Sequence, residues 1–185
     1  MGSKKYIIGI ILAAIVVGVA GYLVGYKSKS PAPGQGTETS APGQTDASLL
    51  VAELEAGLRK NPDDLAALRR LADAYFDIAQ FDKAADNYKR LALKSNDVDL
   101  YNEIGISLHY AGRSPEGIKY IDEGIKKNPG HQRIWLTKGF IMAHGIGDLK
   151  AARTAWEKAR SLNPDSPIGK AAGDYLAEIN KQAVR

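Results

Sequence analysis

Residues 147–164 read GDLKAARTAWEKARSLNP. Ala151, Ala152, Ala155 and Ala159 surround one large aromatic, Trp156, and the stretch closes on Asn163-Pro164. Small residues at helical spacing let two helices approach closely, and one large side chain fills the space that is left. The closing proline stops a helix, because it lacks the amide hydrogen and clashes with the preceding turn. The pattern is one of packing and carries no chemistry.

The same ending recurs along the chain. RKNP stops at Pro62, LKSN at Asn96, KKNP at Pro129 and SLNP at Pro164, so the intervals are 34, 33 and 35 residues. Within each interval small and large residues return in the same order. Residues 65–98 offer Leu68, Leu71, Ala72, Tyr75, Phe81, Ala84, Tyr88 and Leu91. Residues 98–130 offer Tyr101, Ile104, Gly105, Leu108, Gly112, Gly117, Ile121 and Pro129. Residues 131–165 offer Trp135, Gly139, Met142, Gly147, Ala152, Trp156, Ala159 and Pro164, with one surplus residue placed in the HGIG turn, His144–Gly147.

A period near 34 built from helix pairs resembles the tetratricopeptide repeat. The resemblance implies an all-α solenoid of three helix-turn-helix units, none of which buries its apolar face alone. Ala72, Gly105 and Gly139 on helix A, and Ala84, Gly117 and Ala152 on helix B, are the expected close approaches. The chain departs from the repeat pattern at Asn96, Ala79 and Lys138, where Pro, Gly and Leu are usual. A front helix is expected over 48–60, with Leu50, Leu54 and Leu58 on one face. A capping helix is expected over 168–182. There Ala172, Tyr175, Leu176 and Ile179 cover the third repeat while Lys170, Asp174, Glu178 and Lys181 face water. The repeat domain as a whole is read as 48–185.

The N-terminal part is of another kind. After a tail at 1–5 comes YIIGIILAAIVVGVAGYLVGY, Tyr6–Tyr26, without a single charge. As a helix it would span roughly 32 Å, close to the hydrocarbon core of a bilayer. Tyr6, Tyr22 and Tyr26 lie toward its ends, where tyrosine favours the headgroup region. The segment is read as an uncleaved transmembrane anchor. The competing reading is a signal peptide cut after Ala20, against which the apolar run simply continues. The flanking lysines are balanced, so orientation rests on the short tail, which points to a cytoplasmic N-terminus. Gly9, Ala13, Gly21 and Gly25 fall at multiples of four. That is either a helix-docking face, with a homodimer as one outcome, or ordinary glycine usage in membrane helices. Residues 27–47, rich in Pro, Gly, Ser, Thr and Gln, read as a flexible tether that reaches roughly 25 Å as a random coil.

Composition excludes several functions. The chain has 185 residues and no cysteine, so disulfides, thiolate-bound metals and thiol catalysis are out. From Ser48 onward 21 Lys+Arg face 19 Asp+Glu, which leaves no basic stripe for nucleic acid. Neither a phosphate loop nor a catalytic constellation stands out. The Asp63–Asp64 pair sits at a helix start and reads as a cap. His109 and His144 end adjacent A helices and could share one surface, but further metal ligands are not identifiable. No enzyme, cofactor or metal is therefore expected.

In the resembling family the concave face is lined mostly by A helices and holds a peptide or helix. Carried over by repeat frame, the first unit supplies Arg69, Arg70, Asp73, Phe76 and Asp77. The second supplies Asn102, Glu103, Ile106, His109 and Tyr110, and the third Arg133, Thr137, Phe140 and His144. Aromatic, basic and amide groups together suit a segment with apolar anchors and a carboxylate. The alternative for Phe76, Ile106 and Phe140 is that they complete the core. A subset that grips C-terminal carboxylates needs Asn where Glu103 stands, so that clamp is not expected.

A narrower resemblance lies in LVAELEAGLRKNPDDLAALRRLADAY (50–75) and AWEKARSLNPDSPIGKAAGDYLAEI (155–179). Both are similar to the CcmI/NrfG-type subunits of the bacterial haem lyase, in the cytochrome c maturation family. The resemblance implies an inner-membrane anchor and periplasmic repeats, with the C-terminal helix of an apocytochrome as client. Some members have two membrane helices, whereas one is read here. The other expectation is a scaffold of a membrane complex in which the anchor makes the main contacts.

Overall fold

The computed structural model describes residues 42–183. The tail, the membrane segment with Tyr6, Gly9, Ala13, Gly21, Gly25 and Tyr26, and most of the tether lie outside the described residues. Eight α-helices make up the described part: α1 (Pro42–Lys60), α2 (Leu65–Asp77), α3 (Phe81–Ala92), α4 (Val98–Tyr110), α5 (Ser114–Lys127), α6 (Gln132–Ile141), α7 (Leu149–Leu162) and α8 (Pro167–Ala183). No strand occurs among the described residues. None of these helices is long and apolar enough to cross a membrane. Helix α1 begins at Pro42 rather than Ser48. Proline suits a first helical position because its φ is already helical and its missing N–H has no partner to lose there.

Each helix packs on its successor in sequence, and α4 also touches α6 directly, as α6 touches α8. The A helices α2, α4 and α6 thus alternate with the B helices α3, α5 and α7, one repeat stacked on the next, as the period requires. Local chemistry sets the helix starts. The Asp64 carboxylate accepts from the Ala67 amide, Asp97 from Asp99 and Asp148 from Ala151, each at 2.9 Å. These are N-caps. The Asp63–Asp64 pair therefore divides its work: Asp64 caps α2, and Asp63 forms an ion pair with Lys94 in the turn after α3.

The close approaches fall where the repeat frame puts them. Ala72 and Ala84 are fully buried. A Cβ added to Gly117 would stand 2.6 Å from the Gly105 carbonyl oxygen. One added to Gly139 would run into the Trp156 indole. Trp156 is 1% exposed and donates its Nε1–H to the Leu136 carbonyl at 3.2 Å. Tyr175 of α8 stacks on it, ring centroids 4.8 Å apart and planes 13° apart. Ala172, Leu176 and Ile179 are buried beside it, and Lys170, Asp174, Glu178 and Lys181 are exposed. At the other end Val51, Leu54 and Leu58 of α1 join the core formed with α2 and α3.

All three A-to-B turns use a residue with left-handed backbone: Ala79 (φ 58°), Gly112 (φ 78°) and Gly147 (φ 83°). Only the first has a Cβ to accommodate, and the left-handed conformation costs a non-glycine residue roughly 1–2 kcal/mol. Glycine loses more chain entropy on folding. Replacing Ala79→Gly is therefore expected to raise unfolding stability by about 1 kcal/mol, as a shift of the denaturation midpoint without a change in slope. An unchanged midpoint would mean that the turn carries no strain.

The surplus residue of the third repeat is absorbed in one place. Past Ile141 the helix widens into a π turn, Met142–Ile146, which closes with the Gly147 N–H on the Met142 carbonyl. A π turn takes one residue more per turn than an α-helix, and α7 then starts in register. Lys138, where leucine is usual, has turned to α5: its Nζ donates to Asp122 at 2.7 Å and lies over the Trp135 ring.

Candidate functional site

The repeat frame places aromatic residues near the C-terminal ends of successive A helices, and the stacking of α2, α4 and α6 brings them together. Phe76 of α2 meets Tyr110 of α4, with centroids 5.9 Å apart. His109 of α4 meets Phe140 of α6 at 5.4 Å, and Phe140 meets His144 in the π turn at 4.7 Å. Phe81, at the start of α3, completes the row, 5.3 Å from Phe76 and 5.2 Å from Tyr110. Most pairs are edge-on or tilted, the arrangement that ring quadrupoles favour. The result is a belt of six rings across three repeats. Phe140 is buried, Phe76, Phe81, His109 and Tyr110 are half-buried, and His144 is exposed.

Burial keeps the two imidazoles neutral. His109 is held down to about 4, first by desolvation and then by His144. His144 keeps part of its ring open to solvent, and the desolvation of the side packed against Phe140 lowers it as well. The His109 Nδ1 lies 2.9 Å from the Ser114 hydroxyl. Gly145 of the π turn presses on this pair: a Cβ there would stand 2.7 Å from His109 Nδ1. At neutral pH both histidines serve the belt as uncharged rings. Among the described residues no group of three or more His, Asp or Glu is placed to hold a metal.

The N-terminal halves of the A helices carry charge. Arg133 of α6 donates to Glu103 of α4 at 2.8 Å and stands 3.8 Å from Asp99, which also meets the His131 ring at 3.3 Å. Arg69 of α2 lies 3.6 Å from Asp73 and 3.8 Å from Asp97. Tyr88 of α3 donates its hydroxyl to Asp73 at 2.6 Å. Burial pushes the Glu103 carboxyl up, against the pull of Arg133 and Arg69. Asp99 is held low, chiefly by the hydrogen bond from His131. Asp77 is raised by burial and by its neighbour Asp73. Arg70, Asp73 and Asp77 are exposed on α2.

The remaining frame-derived residues are enclosed. Ile106 is buried, and Asn102 and Thr137 are 0% exposed. Neither the Asn102 amide nor the Thr137 hydroxyl has a hydrogen-bond partner. The fourteen residues thus divide into an aromatic belt, a charged group along the helices and an enclosed set of Asn102, Ile106 and Thr137. Sequence reading missed Phe81, Tyr88, Asp97, Asp99 and His131. Phe81 and Tyr88 belong to the recurring core pattern of the repeat, which masks their second role, and the other three sit in or beside the turns that precede α4 and α6.

This architecture is that of a tetratricopeptide-repeat-like solenoid. A tetratricopeptide-repeat family profile matches residues 51–98. No curated protein matches the chain. Among solved structures, the type III secretion translocator chaperone SycD of Yersinia enterocolitica is similar. Its TM-score is 0.60 at 17% identity, over 65% of this chain and 95% of that one. PcrH from Pseudomonas aeruginosa gives 0.59 at 19%, over 64% and 92%. MamA gives 0.59 at 16%, over 80% and 100%. PcrH has also been solved in complex with the chaperone binding regions of PopB and PopD. At these identities the likeness is one of fold.

Proposed function

We propose that this chain is a membrane-tethered adaptor that holds a segment of a client protein along its A helices. The observation that carries the reading is the aromatic belt, which runs through three repeats and leaves four half-buried rings and one exposed ring for a partner. Rings of this kind supply large contact area at small entropic cost and dominate binding energy where they occur. Similar folds solved with client regions support the reading by analogy.

The client class favoured by the resemblance of 50–75 and 155–179 to haem lyase subunits is the C-terminal helix of an apocytochrome. On that reading the anchor lies in the bacterial inner membrane, the N-terminus is cytoplasmic and the repeats are periplasmic. Protease added to intact spheroplasts should then digest the repeats; full protection would exclude the cytochrome role. Labelled apocytochrome C-terminal peptides should bind at micromolar strength or better, roughly 8 kcal/mol. Phe76→Ala and Tyr110→Ala should each weaken that binding by about tenfold or more, with the helical circular-dichroism signal kept. Phe140 is a poorer test, because truncating a buried ring also lowers stability. Unchanged binding in both variants would remove the belt from the client site.

A further inference from the structure

The belt has an electrostatic flank that its rings do not explain. Asp73 and Asp77 stand one turn apart on the exposed face of α2, the spacing at which like charges repel. Asp73 is partly answered: Arg69 lies 3.6 Å away and the Tyr88 hydroxyl donates to it. Asp77 has no such answer. Burial and the Asp73 charge both raise it, with no cation pulling the other way. Phe76, adjacent in sequence, and Tyr110, its ring neighbour, begin the belt at this same end of α2. A carboxylate pair answered only on its Asp73 side, standing beside an aromatic edge, is complementary to a cation on a partly apolar side chain. The charge would sit between the carboxylates, and its methylene stem would lie on the rings.

We propose that the client segment carries a lysine or arginine next to an apolar anchor, the cation seated between Asp73 and Asp77 and the anchor on Phe76 and Tyr110. The inference deepens the groove reading above and rests on it. It orients the client as well, since the cationic position must lie toward the first repeat while the apolar positions run on toward Phe140 and His144. The far end of the belt offers two neutral imidazoles and no carboxylate among its rings, so a reversed client would leave its charge unpaired.

The test uses the full-length chain in mild detergent and three short synthetic peptides, blocked at both ends. They share one amphipathic sequence with two apolar anchors and differ only in Lys, Gln or Glu beside the first anchor. Fluorescence anisotropy should rank them Lys, then Gln, then Glu, with about tenfold between the extremes at low salt, narrowing as salt screens the contact. Asp77→Asn should shrink the Lys-to-Glu ratio, and Asp77→Lys should invert it. Equal binding of all three peptides to the wild type overturns the charge assignment and leaves the groove reading standing. A preference that survives both variants places the cation elsewhere and also overturns it. Binding of none of the three removes the groove reading and this inference together.

Discussion

Truncating Trp156→Ala should destabilise the repeat domain by about 3–5 kcal/mol, a large share of the 5–15 kcal/mol that domains usually possess. The size follows from where the side chain sits. The indole is 1% exposed, fills the space beside Gly139, and is covered by the Tyr175 ring of α8. Its removal leaves a cavity at the joint of α6, α7 and α8, and the Leu136 carbonyl loses its indole donor. Tyr175 then loses the indole on which it stacks, so the cap should loosen along with the third repeat. Urea denaturation followed by circular dichroism reads the loss, and Trp156→Phe should recover part of it. A cost below about 1 kcal/mol would mean that the neighbouring helices collapse into the space, as the spread among large-to-small substitutions allows.

Gly117→Ala makes the opposite error and should cost about 2–3 kcal/mol or more. The added methyl would stand 2.6 Å from the Gly105 carbonyl oxygen, and that atom belongs to the backbone of α4. A flexible side chain can swing away from a new neighbour, whereas a helix must move as a whole. The second repeat sits at the centre of the array, so displacing α5 from α4 disturbs the stacking on both sides. Gly57→Ala is the matched control, because its added Cβ meets nothing within 4 Å. Equal stability of wild type and Gly117→Ala would show that the two helices have slack at their crossing.

Much of this fold could be read from the chain alone, for a physical reason. A repeat that must stack on its neighbour needs the same small and large residues at the same places each time, and that recurrence is visible in a string of letters. Hence Ala72, Gly105 and Gly139 face the contacts they were expected to face, and Trp156 fills the predicted gap. The belt was half visible. Periodicity names the face on which Phe76, Tyr110 and Phe140 lie, but it does not say how deeply each is enclosed, which depends on the curvature of the stack. Asn102, Ile106 and Thr137 share that face by period and are fully or nearly fully enclosed. The ionic cluster was visible only in part: Arg69, Asp73, Glu103 and Arg133 lie on the face that the period names, whereas their partners Asp97, Asp99 and His131 join turns to helices across repeat boundaries that no local pattern marks.

The π turn at Met142–Ile146 bears on how such an array acquires new recognition. Adding a residue to an ordinary helix rotates everything after it by about 100° and would turn the buried face of α7 toward solvent. Here the rotation is taken up within a single widened turn, and Trp156 still meets Gly139. The region that received the extra residue carries His144 against Phe140 at the end of the belt. A length change confined to this turn can therefore alter the partner-facing chemistry while the joints that hold the repeats together keep their register.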